Sequence, residues 1–216
     1  VVMNRKNLTA AVLAGLAGAA GIVGSAQAVN INPDGLGQVL IYPYYTVNGG
    51  NQTLLSVVNT TEEAKAVKVR FKEGKNSREV LDFNLYLSAW DVWTAAIVDD
   101  AVCAPEQACP PLPTLKINDT SCTVPYLYGN GGSQVFLPFG MNDTGVPDEY
   151  GPISRATEGY FEMIEMGTLV GEFADAATHV ATDDGMPAMP ADCQALVNAW
   201  TVFDDKLNVQ GTWSDT

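Results

Sequence analysis

KAVKVRFKEGKNSREVLDFNLYLSAWDVW (residues 65–93) decides the fold. Val67, Val69 and Phe71 alternate with Lys68, Arg70 and Lys72. Successive side chains of a strand point to opposite faces, so this pattern puts three apolar groups on one face and three cations on the other. Glu73-Gly74-Lys75-Asn76-Ser77 supplies a turn. In the strand after it, Leu81, Phe83, Leu85 and Leu87 share a face, opposite Asp82, Asn84 and Tyr86. Ser88-Ala89 bends the chain into a further strand, DVWTAAIV (91–98).

The same period extends upstream. QVLIYPYYTV (38–47) reads as a strand in which Pro43 implies an edge or a bulge. NGGN (48–51) is a hairpin signal, and TLLSVVN (53–59) is the strand expected after it. Downstream, residues 99–158 are rich in Pro, Gly, Asn and Asp, with short apolar pieces such as LPTLKI and SQVFLPF. They are too many for a bare loop in a compact domain. GYFEMIEMGTLVG (159–171) is strand-like again, with Phe161 and Met163 opposite Glu162 and Ile164. Residues 174–192 read as polar and irregular. PADCQALVNAW (190–200) reads as a helix, with Ala195, Leu196, Ala199 and Trp200 at helical spacing. Short strands joined by close turns predict a mainly β fold: an antiparallel immunoglobulin-like β-sandwich with a disulfide-braced irregular insertion and one short C-terminal helix.

Residues 1–28 have the layout of a secretory signal peptide: Arg5-Lys6, an uncharged small-residue stretch Leu8–Val23, then Ala26-Gln27-Ala28 as a cleavage signal. The apolar run is shorter than the roughly 20 residues of a spanning helix, and no later segment approaches that length. The expectation is therefore 1–28 as signal peptide and 29–216 as one β-rich domain. Its parts are core strands 38–98, a loop-rich insertion 99–158, and strand, loop and helix over 159–216. The expected location is the periplasm, the cell surface or the extracellular space.

The formal net charge is −14; without Arg5 and Lys6 there remain 9 basic against 25 acidic residues, a charge of −16. Such a balance disfavours nucleic acid, whose phosphates it repels. Cys103, Cys109, Cys122 and Cys193 are an even set, which in an exported chain favours disulfides. Cys103 and Cys109 enclose APEQA as a small loop, which would leave Cys122 to pair with Cys193. A structural zinc site is the alternative, but the paired C-x-x-C spacing it favours is absent.

VLIYPYYTV, LLSVVNTT, KVRFKEGKNSREVLDFNLYLS, DVWT and GYFEMIEMG resemble a family of uncharacterised exported or cell-surface proteins of Gram-negative bacteria. The resemblance covers most of residues 37–200. It implies an exported, envelope-associated β-rich protein and supplies no catalytic residues. Members of that family continue past the equivalent of Thr216, which would make this chain a C-terminally truncated fragment.

Three groups of residues are candidate sites. Lys65, Lys68, Arg70, Lys72, Lys75 and Arg78 form a basic island, with Glu73, Glu79, Asp82 and Asp91 interleaved. It reads either as a solvated sheet face with cross-strand ion pairs or as a docking patch for an acidic partner. Lys68, Arg70, Lys72, Asn76, Arg78 and Asp82 would form that patch. Acidic loops NINPDG (30–35), NDTGVPDEYG (142–151) and TDDGMPAMPAD (182–192) gather oxygens near Gly, and calcium on Asp143, Asp148, Asp183 and Asp184 is one reading; Asx-rich turns are the other. Tyr42, Tyr44, Tyr45, Trp90 and Trp93 read as core or, alternatively, as a sugar-stacking platform.

Signatures of catalysis are sparse. His179 is the one histidine, with no G-x-S-x-G or H-E-x-x-H motif. Glu162, Glu165, Asp183 and Asp184 qualify as glycosidase carboxylates by residue type alone. The expected function is a secreted or cell-surface structural or adhesive protein without catalysis and without an obligatory cofactor. Its partners would be an envelope protein, a glycan or a second copy. An exported carbohydrate-active enzyme or carbohydrate-binding module, and a calcium-dependent adhesion module, are the alternatives.

Overall fold

A computed structural model describes residues 32–102, 109–137, 152–182 and 186–200. The chain divides into two units, Val1–Leu36 and Gly37–Thr216. In the described part of the first, Asn32 Oδ1 accepts the Asp34 N–H at 2.9 Å. This is the Asx turn that NINPDG suggested. Asp143, Asp148, Asp183 and Asp184 lie outside the described residues, as does Cys103.

The second unit is an antiparallel β-sandwich. Its strands are β1 (Val39–Thr46), β2 (Thr53–Val58), β3 (Lys65–Glu73), β4 (Glu79–Leu87), β5 (Val92–Asp99), β6 (Pro113–Lys116), β7 (Thr123–Val124), β8 (Ser133–Val135) and β9 (Glu158–Thr168). One sheet runs β1-β9-β3-β4-β7 and the other β2-β5-β6-β8. A small hairpin of β10 (His179–Val180) and β11 (Met189–Pro190) stands apart from both sheets. Helices α1 (Glu172–Ala177) and α2 (Cys193–Trp200) follow the sandwich strands. The segment 174–192 thus contains most of a helix and a hairpin, where composition alone read as irregular.

The period-two pattern of β3 places its residues as expected. Val69 and Phe71 have no exposed surface and Val67 is buried, while Lys68, Arg70 and Lys72 are half-buried on the other face. Phe71 lies 5.1 Å from Phe161, 5.3 Å from Phe136, 6.1 Å from Tyr45 and 6.5 Å from Phe83, ring centre to ring centre. Leu55, Val57, Trp93, Ile97 and Leu115 of the opposing sheet complete this core. Gly159 shows how tightly β9 enters it: a Cβ there would collide with the Lys72 carbonyl and sit 2.9 Å from the Tyr45 ring.

The NGGN hairpin does not form. β1 pairs with β9 and β2 with β5, so residues 48–50 carry the chain from one sheet to the other. The turn signal is satisfied locally instead. Thr53 Oγ1 accepts the Thr46 N–H at 3.0 Å and donates to the Thr46 carbonyl at 3.1 Å. Both flanking strands carry apolar residues at alternate positions, and each finds a longer partner elsewhere. Tertiary pairing overrides the local turn preference.

β4 departs from simple alternation, because Asn84 and Tyr86 are buried as well as Leu85 and Leu87. A second apolar cluster covers that end of the outer face. Ala64, Ala66, Tyr86, Cys122, Leu169, Ala176, Ala177 and Leu196 pack beneath α1 and α2. Cys122 is bonded to Cys193, which ties α2 to the sheet across 71 positions of sequence. Asp192 caps α2 by accepting the Ala195 N–H at 3.0 Å. Cys109 is disulfide-bonded too; the small loop expected between it and Cys103 falls outside the described residues.

A buried ion pair fixes the β3–β4 turn. Glu73 has no exposed surface. Its carboxylate accepts the N–H groups of Lys75 at 2.8 Å, Asn76 at 3.1 Å and Arg78 at 3.0 Å. Arg155 Nη2 reaches Glu73 Oε1 at 3.3 Å and Asn76 Oδ1 at 2.5 Å. A charge this deep is tolerable because it is paired and hydrogen-bonded.

Two outcomes are expected from this arrangement. Replacing Cys122 and Cys193 by Ser should lower unfolding stability by about 2–4 kcal/mol in denaturant titration, and proteases should cut first within 172–200. Burial pushes the Tyr86 hydroxyl up to about 12. The native state therefore keeps a proton there that the unfolded chain loses near pH 10, so this contribution to stability holds below pH 10 and is lost as pH rises toward 12. Tyr86→Phe should flatten the fall in melting temperature over that window.

Candidate interaction surface

Four of the six cations of the basic island are paired with carboxylates in or beside their own sheet. Lys68 pairs with Asp82 across β3 and β4. Arg70 meets Glu79 at 2.9 Å and Glu162 at 3.1 Å. Lys72 lies 4.0 Å from Glu79. Lys65 meets Glu63 at 3.2 Å and Glu165 at 3.1 Å. Four cations thus face five carboxylates, and the stripe carries no excess positive charge. The structure brings Lys68, Arg70, Lys72 and Asp82 together as an ion-pair lattice. It draws Asn76 and the Arg78 backbone into the Glu73 turn instead. Glu162 and Glu165, considered as glycosidase carboxylates, are the β9 partners of that lattice.

The aromatics divide. Tyr45 and Trp93 are fully buried, and Tyr42 stacks on Phe161 with ring centres 4.2 Å apart. Tyr44 and Trp90 are exposed. They do not form one platform: Tyr44 donates to Glu158 at 3.1 Å near the β1–β2 crossover, whereas Trp90 lies at the other end of β2, its N–H donating to the Thr61 carbonyl.

Trp90 is the unusual residue. Its side chain is 65% exposed, and its φ is +59°. A bulky side chain in the left-handed region is strained and persists where the surroundings over-determine it. Here they do. The Asn59 N–H donates to the Asp91 carbonyl at 2.8 Å, the Trp90 N–H to Thr61 at 3.1 Å and the Asp91 N–H to Ser88 at 3.3 Å. Asn59, 5% exposed, donates its amide to the carbonyls of Ser88 and Glu63 at 2.8 and 2.7 Å. The Asp91 carboxylate accepts the N–H groups of Ser88 at 3.1 Å and Val92 at 2.9 Å, while the Ser121 hydroxyl beside it donates to Asp119 at 2.7 Å.

His179 closes this knot from the β10–β11 hairpin. Thr120 Oγ1 spends its proton on the Ala188 carbonyl at 2.8 Å, so it accepts from His179 Nε2 at 3.2 Å. That assigns the proton to Nε2 and leaves Nδ1 to accept from Ser88 Oγ at 3.0 Å. Asp91 Oδ2 stands 3.5 Å from the same Nδ1. A nucleophilic triad needs its hydroxyl and carboxylate on opposite ring nitrogens. Ser88 and Asp91 share one, so this group is a clasp that fixes the loop. Sequence reading placed His179 in a polar, irregular segment. Its partners at 88, 91 and 120 leave no local pattern that could have revealed the clasp.

On one side Trp90 adjoins Asp91 and the exposed Glu62 and Glu63; on the other it adjoins an uncharged stretch of sheet. Val58, Val92 and Leu54 are 51%, 47% and 74% exposed, and Ser56 and Thr94 are exposed between them. These residues share the outer face of β2 and β5. No charged residue occurs anywhere in 35–61. Between the start of β1 and the end of β2 a cleft of about 260 Å³ opens over Leu40, Val57, Val67, Leu87 and Met163. The chain matches no protein-family model, no curated protein and no solved structure.

Asp91→Ala leaves at least two N–H groups of the loop without their acceptor. It should cost about 1–3 kcal/mol in chemical denaturation, whereas Lys68→Ala in the exposed lattice should cost less than about 1 kcal/mol.

Proposed function

We propose that this chain is an exported protein of the cell envelope or cell surface that works by non-catalytic contact with another macromolecule, a protein or a glycan, through Trp90 and the neutral face beside it. The observation that carries this reading is the rigid exposure of Trp90. A large aromatic held out in solvent at a strained φ, by a hydrogen-bonded loop that costs many groups their freedom, makes no contribution to the core. It suits an anchor for a partner, because little backbone freedom is left to lose at that position on binding. The neutral β2–β5 face supplies the apolar surround that excludes water from such an anchor.

A glycan is supported by the same exposed indole, since aromatic rings stack on the apolar side of a sugar ring. A protein is supported by the extent of the neutral surface, which continues over Val92, Val58 and Leu54. Net charge far from zero elsewhere keeps non-specific contacts weak. The resemblance to exported proteins and the disulfide agree with an oxidising compartment.

The test is retention of the chain on isolated cell envelopes. Trp90→Ala should leave the melting temperature within a few degrees of wild type, and should lower retention about tenfold or more. Trp90→Tyr should keep much of it, and a soluble envelope glycan should compete if a sugar is the partner. Unchanged retention of Trp90→Ala would overturn the proposal.

A further inference from the structure

The sandwich has four sheet edges, and three are blunted. β1 carries Pro43 and a register break between Tyr42 and Tyr45. β7 is two residues long and β8 three. β2 is the exception among the described strands: six residues, TLLSVV, with no proline, no bulge and no charge. Edge strands of this kind are templates for strand addition, which proteins ordinarily block with charge or proline.

The direction of its free groups follows from the ladder. The Asn59 N–H donates to Asp91, its register partner in the continuation of the β2–β5 pairing. Antiparallel pairs alternate, so Val57 and Leu55 direct their backbone groups at β5, and Leu54, Ser56 and Val58 direct theirs off the sheet. The Ser56 carbonyl receives the Tyr42 hydroxyl at 3.3 Å, from the side away from β5. It retains a second lone pair.

We infer that two copies of this chain associate through β2, antiparallel about a twofold axis at Ser56, forming one continuous sheet. The register is self-complementary. Ser56 faces Ser56 of the second copy, and Leu54 faces Val58 of the second copy, a branched apolar pair on the exposed face. Each apolar row then runs Val92, Val58, Leu54, Ala96 across the axis. Charge selects the occupant. A chain of net charge −14 repels its own copies wherever carboxylates meet. The uncharged run 35–61 contains β2, so this edge brings two copies together without burying one. A partner chosen by opposite charge would be cationic and would seek the acidic surface instead. The inference does not rest on Trp90, which lies beyond the end of β2, although Leu54 and Val58 also belong to the neutral face beside it; Trp90→Ala tests the one reading and Ser56→Pro the other.

The experiment uses the chain purified from the compartment in which it accumulates. Wild type should show a concentration-dependent doubling of mass by sedimentation or light scattering. In hydrogen exchange the amides of Leu54, Ser56 and Val58 should gain protection with concentration, while Leu55 and Val57 stay equally protected throughout. Ser56→Pro removes an outward N–H and leaves the β5 ladder intact; it should be monomeric with an unchanged circular dichroism spectrum. Leu54→Lys, which touches no backbone group, should be monomeric as well and serves if the proline variant fails to fold. A monomeric wild type at every concentration, a dimer that survives Leu54→Lys, or open-ended growth in mass would each overturn the twofold pairing.

Discussion

Phe71 is enclosed by four aromatic rings, and the strand that carries it is paired on both sides, to β9 and to β4. A slip of one residue in β3 would turn Phe71, Val69 and Val67 to solvent and drive Arg70 and Lys68 into the core. Burying those cations without partners would cost far more than the marginal stability of a domain allows. The register of β3 is therefore fixed from both faces at once. The inner face fixes it by packing. The outer face fixes it because Arg70 reaches Glu79 on one neighbour and Glu162 on the other only in this alignment. Each exposed pair contributes little alone, yet a shifted register would lose all of them together.

That constraint redistributes the charge of the molecule. Four of the eight described cations, Lys65, Lys68, Arg70 and Lys72, are spent inside the β3 lattice and form no basic patch there. What remains is an acidic body with one neutral side, where β2 and β5 expose Leu54, Ser56, Val58, Val92 and Thr94. Two polar knots serve this layout. Glu73 and Arg155 lock the β3–β4 turn from within. Asn59, Ser88, Asp91 and His179 lock the β4–β5 connection, which turns from one sheet to the other and carries Trp90 at its tip. The first knot is buried and supports the fold. The second is built on buried Asn59 and Ser88 with Asp91 and His179 partly buried beside them, and it holds a strained, exposed residue at its tip.

Much of the sandwich was legible because its strands obey a period of two. Val67, Val69 and Phe71 against Lys68, Arg70 and Lys72 could be read without coordinates, as could the Cys122–Cys193 tie once Cys103 and Cys109 were set aside as a close pair. Which strands pair could not be read. NGGN is a sound hairpin signal, but β1 and β2 found better partners at a distance, and turn chemistry has no term for that. The β4 pattern failed at Asn84 and Tyr86 because α1, α2 and the disulfide cover a face that alternation assigned to water. The basic island could be read as an ion-paired sheet face or as a docking patch: Glu79 and Asp82 stood in the same stretch, but Glu162 and Glu165 arrive from β9, some ninety positions later in the chain. Trp90 gave no sign of its left-handed φ, since neither Gly nor Asn stands at that position. The absence of charge from 35 to 61 was in plain view; its meaning came only when both strands of that run proved to be sheet edges.

An open neutral edge in an acidic protein is a choice between two hazards. Charge on β2 would have blunted it as Pro43 blunts β1, and the outward groups of Leu54, Ser56 and Val58 would then have faced water with nothing to template. Left uncharged, the edge invites pairing, and the rest of the surface limits what can accept. A copy approaching antiparallel along β2 meets Ser and branched apolar side chains at matching positions and no carboxylate of that strand. Twofold pairing also uses up both edges, so the same physics that invites association stops it at two copies. The long-range repulsion of the acidic bodies opposes every encounter, the paired one included, and weakens with salt while the backbone pairing of the strands does not. An edge of this kind is therefore specific through what surrounds it.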